Sequence, residues 1–259
     1  MHDMANEVGR VRPARPHTAL TEDGRRLAQV TTYARRGSRL SDRQAAAWAR
    51  RAADWRIPDE AVDDPGFDPR AWFGREAPLM VEIGSGIGEA TAALAAARPS
   101  YNVLAFEVWR PGIAETFLRL ERAGAKNVRL LGVDAVWSME QLLPPDSVSE
   151  LWTFFPDPWP KKRHHRRRLV GTSFARLAAS RLLPGALWRL ATDWPGYAEQ
   201  MLRVLSAEPL LENVFDGAAP RWEERPSTRF ERRGRAAGRP ITDLAFRRRG
   251  WAGPAGSSI

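Results

Sequence analysis

The sequence contains no cysteine and only four histidines. The lack of cysteine excludes disulfide bonds and any zinc or iron–sulfur site with cysteine ligands. The histidines are too few and too scattered to indicate a metal site, so we expect no metal. No apolar run approaches the roughly 18 residues of a membrane span, and none follows Arg10, Arg12 and Arg15 as a secretory signal would require. We therefore expect a cytoplasmic protein that does not use a membrane.

Basic residues are in excess, with a formal net charge of +9 over 259 residues. Such a charge favours a polyanionic partner such as nucleic acid, because phosphate neutralisation dominates that kind of affinity. GC-rich coding also raises the arginine content, so the placement of the charges is more informative than their total. The hydrophobic fraction of 43% suffices for a large core. The sequence leaves the oligomeric state open.

The chain divides into a basic segment and a body of alternating strands and helices. Residues 1–40 are polar and predict a flexible basic arm, and residues 41–259 predict one domain with an Arg-rich insertion near 220–240. Ser41 is the predicted cap of a first helix that ends at Trp55. Repeated strand–helix units predict an α/β fold with a mainly parallel sheet. The predicted strands are 79–83, 103–106, 128–131, 148–155, 186–191, 210–215 and 244–248, and the later helices are 89–98, 111–123, 169–183 and 196–206.

A glycine-rich turn follows the first of these strands. Gly84, Gly86 and Gly88 have the spacing GxGxG, which permits a tight turn and a close approach of backbone to ligand. Glu107 ends the next strand, about 20 residues on, where a carboxylate can accept both hydroxyls of a ribose. The sequence therefore predicts a nucleoside-containing cofactor at this edge of the sheet.

Acidic residues beside the turn favour a methyl donor over a dinucleotide. A dinucleotide places its pyrophosphate at the helix N-terminus, where Glu82 would repel it. S-adenosylmethionine has no phosphate, and its ammonium group suits Glu82. Asp134, after the third strand, is predicted to meet the adenine amino group, or else to cap the next helix.

A single acid between two prolines ends the fourth strand. Pro156 and Pro158 restrict the backbone, so Asp157 is predicted to lie on a stiff turn. The basic run 161–168 follows and suits phosphate contacts, while Trp159 can stack on a base or pack in the core. Asp193 ends the neighbouring strand, where it can hold a base edge, orient Asp157 or cap a helix.

Several motifs in combination resemble the bacterial tRNA (guanine-N7-)-methyltransferases. The shared stretches lie within residues 33–249 and are Glu82–Gly88, the FPDPW run 155–159 with Lys161, the ATDW run 191–194 and the TRFE run 228–231. The 36–39 stretch also resembles a short basic segment of this family. Pro160 and Arg229 depart from the family pattern, which has a polar residue and commonly lysine there. Neither departure removes a charge that the chemistry requires.

The resemblance implies a Rossmann-like class I methyltransferase fold with a seven-stranded sheet and an antiparallel last strand. It implies transfer of a methyl group from S-adenosylmethionine to guanine N7 at position 46 of the tRNA variable loop. By motif, Glu82, Glu107, Asp134 and Asp157 would line the cofactor or active site, with Asp157 as the catalytic residue. The implied substrate contacts are Lys161, Asp193, Thr228, Arg229, Phe230 and Glu231.

Two other functions fit parts of the same pattern. The turn around Asp157 is similar to the Asp-Pro-Pro-aromatic turn of enzymes that methylate exocyclic amines. A non-catalytic RNA-binding protein would account for the basic residues alone. A nucleotide oxidoreductase is disfavoured by Glu82 and by the glycine spacing.

Overall fold

The computed structural model describes Arg15 and residues 31–34 and 37–250. Over these residues the chain forms seven α-helices and eight β-strands. The helices are α1 Asp42–Trp55, α2 Glu89–Ala97, α3 Arg110–Ala123, α4 Ala135–Leu142, α5 Thr172–Arg181, α6 Pro195–Ser206 and α7 Arg229–Ala236. The strands are β1 Arg56–Ile57, β2 Leu79–Ile83, β3 Asn102–Phe106, β4 Val128–Leu131, β5 Val148–Phe154, β6 Leu182–Thr192, β7 Leu211–Asn213 and β8 Thr242–Arg248.

All eight strands join one mixed sheet in the order β1-β4-β3-β2-β5-β6-β8-β7. The pairs from β1 to β6 are parallel, and β8 runs antiparallel to both β6 and β7. The order reverses at β2, which lies between β3 and β5, so the crevice at the carboxyl ends of these strands is the expected ligand position. The predicted Rossmann-like fold with an antiparallel final strand is confirmed. The two-residue β1 adds an edge strand to the seven that we expected.

Residues typical of helix ends account for the start of α1 and the end of α3. Ser41 caps α1 in a reciprocal capping box with Gln44. Gly124 ends α3 with φ +65°, in the left-handed region that favours glycine. β2 and β3 are buried at every position, as expected for central strands with helices on both faces.

Three elements have no predicted bounds, namely β1, α4 and α7, and two more have bounds that differ from those predicted. A helix after Asp134 was one of two alternatives, and α7 lies within the predicted Arg-rich insertion. The predicted helix 169–183 was too long, because Leu182 and the Pro184-Gly185 pair belong to the start of β6. β6 pairs with β5 across an irregularity near its beginning. The first residues of β6 therefore lack the regular alternation that indicates a strand.

The predicted arm 1–40 lies mostly outside the described residues, including Arg10, Arg12, Arg35 and Arg36. Within the described part, Arg15 forms an ion pair with Asp63, and residues 31–34 contact the turn that carries Asp157. The domain division therefore stays a prediction. No helix among the described residues is long and apolar enough to cross a membrane.

Candidate active site

A cavity that is partly open to solvent lies at the carboxyl ends of β2, β3, β4 and β5. Such crevices at strand ends are common ligand sites in α/β folds. The residues predicted to bind cofactor or substrate that line it are Gly84, Gly86, Glu107, Asp134, Asp157 and Phe230. The reversal of strand order therefore brings together side chains that lie up to about 150 residues apart in the sequence.

The glycine turn after β2 has three residues in left-handed conformations. The φ angles of Gly84, Gly86 and Gly88 are +74°, +60° and +75°, values that side chains rarely adopt. Gly84 and Gly86 line the cavity, whereas Gly88 begins α2 and packs against α3. A Cβ atom on Gly88 would lie 2.5 Å from the side chain of Thr116. The structure shows a packing role for Gly88, and the cofactor contact predicted for this glycine stays a prediction.

Glu107 joins the end of β3 to the glycine turn. Its Oε2 accepts a hydrogen bond from the Gly86 N–H, and its Oε1 accepts one from the Trp109 N–H, both at 2.7 Å. Two backbone donors fix the carboxylate at the cavity wall, where it is half-buried. This position suits the predicted contact with ribose hydroxyls.

Glu82 lies beneath the turn and does not line the cavity. Its side chain is buried and accepts a hydrogen bond from the Thr91 hydroxyl. Burial, together with the negative charge of Glu107, raises the pKa of Glu82 to about 7 against the lowering effect of the Thr91 hydrogen bond. A direct contact between Glu82 and a bound ammonium group therefore stays a prediction.

Asp134 caps a helix, which is one of the two functions that the sequence left open, and its contact with an adenine amino group stays a prediction. It lines the cavity after β4, and its Oδ1 accepts hydrogen bonds from the N–H groups of Val136 and Trp137, both at 3.0 Å. The side chain is therefore the N-cap of α4. Capping fixes its orientation at the cavity edge.

Asp157 lies on a strained turn at the end of β5. Phe155 and Trp159 have φ angles of +52° and +45°, which are uncommon for residues with side chains. The guanidinium of Arg225 lies over the Phe155 ring, and the Phe155 N–H donates to the Ala191 carbonyl at 2.7 Å. Such backbone strain persists where the surrounding structure enforces it, and it is frequent at active sites.

Residues 31–34 form a further wall of the cavity. Thr32, Tyr33 and Ala34 line it, and the Ala34 N–H donates to Oδ2 of Asp157 at 2.7 Å. The indole N–H of Trp159 donates to the Thr32 carbonyl at 3.0 Å. This short stretch therefore contacts both the acid and the aromatic residue of the proline turn.

The basic run 161–168 is divided between solvent and the protein interior. Lys161, Lys162, Arg163 and Arg166 are exposed. In contrast, the Arg167 guanidinium lies 3.6 Å from the centre of the Trp159 ring and contacts Thr31. Arg168 is 5% exposed and donates to the carbonyls of Pro158 and Gly196. Our prediction that the whole run contacts phosphate is therefore wrong for Arg168, and one face of Trp159 is already covered.

The TRFE run begins a helix instead of forming a charged loop. Thr228 is the N-cap of α7 and accepts a hydrogen bond from the Glu231 N–H at 3.4 Å. Glu231 is 1% exposed and forms ion pairs with Arg225 and two further arginines. Phe230 lines the cavity, and Arg229 is exposed. The predicted substrate contact of Glu231 is corrected, because its carboxylate is enclosed by arginines, while Thr228 stabilises the helix start.

Asp193 is adjacent to the active site in topology but not among the residues that line the cavity. β6 pairs with β5 as expected, with Ala191 opposite Phe154. The Asp193 carboxylate, however, forms an ion pair with Arg239 at 2.7 Å, and a Cβ atom on Gly234 of α7 would lie 2.7 Å from the Asp193 side chain. A contact of Asp193 with substrate stays a prediction.

Comparison with known proteins identifies the family of this chain. A family model described as "Putative methyltransferase" matches residues 76–244. The chain is 66% identical over 242 residues to a tRNA (guanine-N(7)-)-methyltransferase of Nocardioides sp., covering 93% of this chain and 96% of the relative. A protein of the same name from Cutibacterium acnes is 51% identical over 229 residues, with 85% and 83% of the two chains covered. The chain belongs to the tRNA (guanine-N7-)-methyltransferase family.

Solved structures support the fold of this tRNA (guanine-N7-)-methyltransferase family member. A variant of the 16S rRNA (adenine(1408)-N(1))-methyltransferase of Catenulisporales acidiphilia, with cosubstrate SAM, is 16% identical with a TM-score of 0.50. That match covers 73% of this chain and 95% of the other. The 16S rRNA methyltransferase KamB has the same identity and TM-score, with 84% and 98% coverage.

Sequence reasoning missed two features that shape this methyltransferase site. Gly112 in α3 packs so closely on the glycine turn that a Cβ atom there would lie 2.2 Å from the Gly86 carbonyl oxygen. The buried group Arg225, Glu231 and Asp243 supports the proline turn from below. The Thr-x-x-Glu pattern at 228–231 is a signal for a helix start, and it could have revealed α7.

Proposed function

We propose that the chain transfers the methyl group of S-adenosylmethionine to N7 of a guanine in tRNA, at position 46 of the variable loop. The observation that carries this proposal is that Glu107 and Asp157 line the same cavity. A donor held at the ends of β2 and β3 and a base held at the end of β5 would meet there. Family membership supports the same reaction.

The polar groups that line the donor site suit an adenosine-containing molecule. Glu107 presents a fixed carboxylate for ribose hydroxyls, and Asp134 presents an acceptor for an amino group. A Cβ atom on Gly84 would meet nothing within 4 Å, so the backbone is open to close approach by a ligand at this glycine. Apolar residues from neighbouring strands complete the wall, among them Ile83, Phe106 and Val133. No phosphate-binding group is required for such a ligand.

Methyl transfer to guanine N7 depends on the positioning of the two reactants and not on proton transfer. The sulfonium of the donor supplies an electrophilic methyl group, which is transferred to N7 as the bond to sulfur breaks. Guanine N7 carries an in-plane lone pair that accepts hydrogen bonds, so it needs no deprotonation before it attacks. The contribution of the protein is therefore in-line alignment and electrostatic stabilisation.

We assign Asp157 the task of holding guanine and offsetting its growing positive charge. A carboxylate beside the purine accepts hydrogen bonds from N1–H or N2–H. The positive charge that leaves sulfur appears on the purine, and a nearby negative charge stabilises it. The stiff turn suits this task because it costs no reorganisation during the reaction.

The tRNA would be held by the exposed part of the basic surface. The candidates are Lys161, Lys162, Arg163 and Arg166, with Arg229 at the start of α7. Phosphate contacts of this kind orient RNA without reading its sequence. Choice of a single guanine would then depend on tRNA shape and on access to the cavity. A cytoplasmic location is expected for an enzyme with this substrate.

The test is to incubate the full chain with unmodified tRNA and methyl-labelled donor and to identify the methylated nucleoside by mass spectrometry. We expect label in N7-methylguanosine, and its loss when guanine 46 is replaced by adenine. Label on an exocyclic amine would favour an amino-methyltransferase. Retention of tRNA without any methylation would favour a non-catalytic RNA-binding protein. Either result would overturn the proposal.

A further inference from the structure

Glu89, in the first turn of α2, connects the cofactor turn to α7. One oxygen of its carboxylate accepts a hydrogen bond from the backbone N–H of Arg229. The other oxygen accepts from Nη2 of Arg232 at 2.8 Å. The Glu89 side chain is only 14% exposed, although Arg232 is largely in solvent. The two helices are therefore joined by an acid that immediately follows the glycine turn.

This contact stabilises the N-terminus of α7. The first N–H groups of a helix have no partner within the helix. In α7 the Thr228 hydroxyl accepts a hydrogen bond from the Glu231 N–H, and the Glu89 carboxylate accepts one from the Arg229 N–H. A negative charge at this end also complements the positive end of the helix dipole. Glu89 in α2 thus provides a hydrogen-bond acceptor for the start of α7, whereas a capping side chain normally comes from the residue next to the helix.

The rest of α7 is held independently by buried groups. Glu231 pairs with the fully buried Arg225, and Gly234 packs against Asp193. Phe230 directly follows Arg229 in α7 and lines the cavity. A Cβ atom on Gly86 would lie 3.6 Å from Cε2 of Phe230, so this ring covers the glycine turn. Glu89 therefore sets the position of the Phe230 ring from one side.

We propose that Glu89 is a positioning residue that keeps Phe230 against the methyl-donor site through the N-terminus of α7. The same contact fixes Arg229, which is exposed beside the cavity and available to RNA. Glu89 would thereby link retention of the donor to the placement of a helix that faces the tRNA. This inference rests on the proposed function, because it assigns the cavity to the donor.

A double-mutant cycle tests the link between Glu89 and Phe230. Binding of S-adenosylmethionine is measured by calorimetry on the full chain and on Glu89→Ala, Phe230→Ala and the double variant, without tRNA. We expect each single substitution to weaken donor binding about three- to tenfold, as for loss of a helix cap or of one aromatic contact. The double variant should bind no more weakly than Phe230→Ala, since Glu89 acts through that ring.

Two further variants separate positioning from general stability. Glu121→Ala removes ion pairs with Arg50 and Arg51 between α1 and α3, far from the cavity, and should leave donor affinity unchanged. Glu89→Gln keeps an acceptor for the Arg229 N–H but loses the charge, so it should give an intermediate affinity. This milder variant replaces Glu89→Ala in the cycle if the alanine variant does not fold.

The outcomes distinguish this inference from the proposed function. Additive losses in the cycle, or an unchanged affinity in Glu89→Ala and Glu89→Gln, would overturn the positioning role while the wild-type chain still binds donor. Failure of the wild-type chain itself to bind donor would instead overturn the proposed function.

Discussion

The backbone N–H of Ala34 donates a hydrogen bond to Oδ2 of Asp157, over 2.7 Å and across 123 residues of sequence. One oxygen of the carboxylate thus has a donor from the protein itself. The segment that provides it also forms part of the cavity wall. A base that approaches Asp157 therefore meets an oriented carboxylate, as electrostatic preorganisation requires.

Asp157→Asn is expected to slow methyl transfer while leaving tRNA affinity nearly unchanged. The amide keeps the shape of the side chain but removes its charge, so we expect a loss of about 10²- to 10³-fold in the rate, as for removal of one preorganised group. Single-turnover rates and filter binding measure the two effects separately. The exposed Asp216→Asn is the matched control. Comparable losses in rate and in tRNA affinity would show that Asp157 is structural.

Glu107→Ala is expected to act on the donor instead. The substitution removes the proposed acceptor for ribose and releases the N–H groups of Gly86 and Trp109. Loss of hydrogen bonds to a charged group corresponds to a donor affinity weaker by about 10- to 100-fold. Calorimetry with S-adenosylmethionine measures it, with Glu115→Gln in α3 as control. An unchanged dissociation constant would remove Glu107 from the donor site.

Glu82→Gln is expected to change how stability depends on pH. Burial raises the pKa of Glu82 to about 7 from the value of 4.5 expected in the unfolded chain. The stability associated with the neutral form is complete below pH 4.5 and is lost as pH rises through 7. A shift of this size corresponds to a loss on the order of 3 kcal/mol in the free energy of unfolding. The glutamine variant does not ionise and avoids that loss.

Urea unfolding of the wild-type chain and of Glu82→Gln at about pH 5, 7 and 8.5, on both sides of the raised pKa, measures this difference. As pH rises, the free energy of unfolding of the variant should increase relative to that of the wild type. Glu60→Gln, at an exposed position, is the control for general effects of pH. A difference between variant and wild type that stays constant with pH would contradict ionisation of Glu82 in this range.

The sequence predicted the central strands and the glycine turn because their signals are local. β2 and β4 have the predicted bounds, and α1 begins at its predicted cap. Glu107 and Asp157 could be placed at one edge because parallel strands present their carboxyl ends together. Local pattern and topology are therefore sufficient to predict the position of residues that lie directly after a strand.

The sequence could not show which charged side chains point inward. Arg225, Glu231 and Asp243 are charged, yet they are buried together because Arg225 forms ion pairs with both acids. Arg166 lies in the short 3₁₀ turn Lys162–Arg167 and is exposed, whereas Arg168 follows that turn and is buried. Partners from distant segments decide such burial, and periodicity alone does not reveal them.

The division of the basic run predicts two different phenotypes from similar substitutions. Lys161, Lys162, Arg163 and Arg166 are exposed, and changing all four to Ala should weaken tRNA binding. The slope of log affinity against log salt should become shallower by about 0.7 to 0.9 for each phosphate that the variant no longer neutralises. Filter binding of tRNA from about 50 to 300 mM salt measures this slope. A slope equal to that of the wild type would remove these four residues from the RNA-binding surface.

Arg168→Ala removes one positive charge but should leave the salt slope unchanged. The Arg168 guanidinium is buried and donates to the Pro158 carbonyl, directly after Asp157, and to Gln200 in α6. Its loss leaves buried acceptors without partners, so we expect a lower melting temperature and slower methyl transfer. The single variant Arg166→Ala, at an exposed position, is the reference. If Arg168→Ala changed the salt slope as much as Arg166→Ala and left the melting temperature unchanged, Arg168 would contact the RNA.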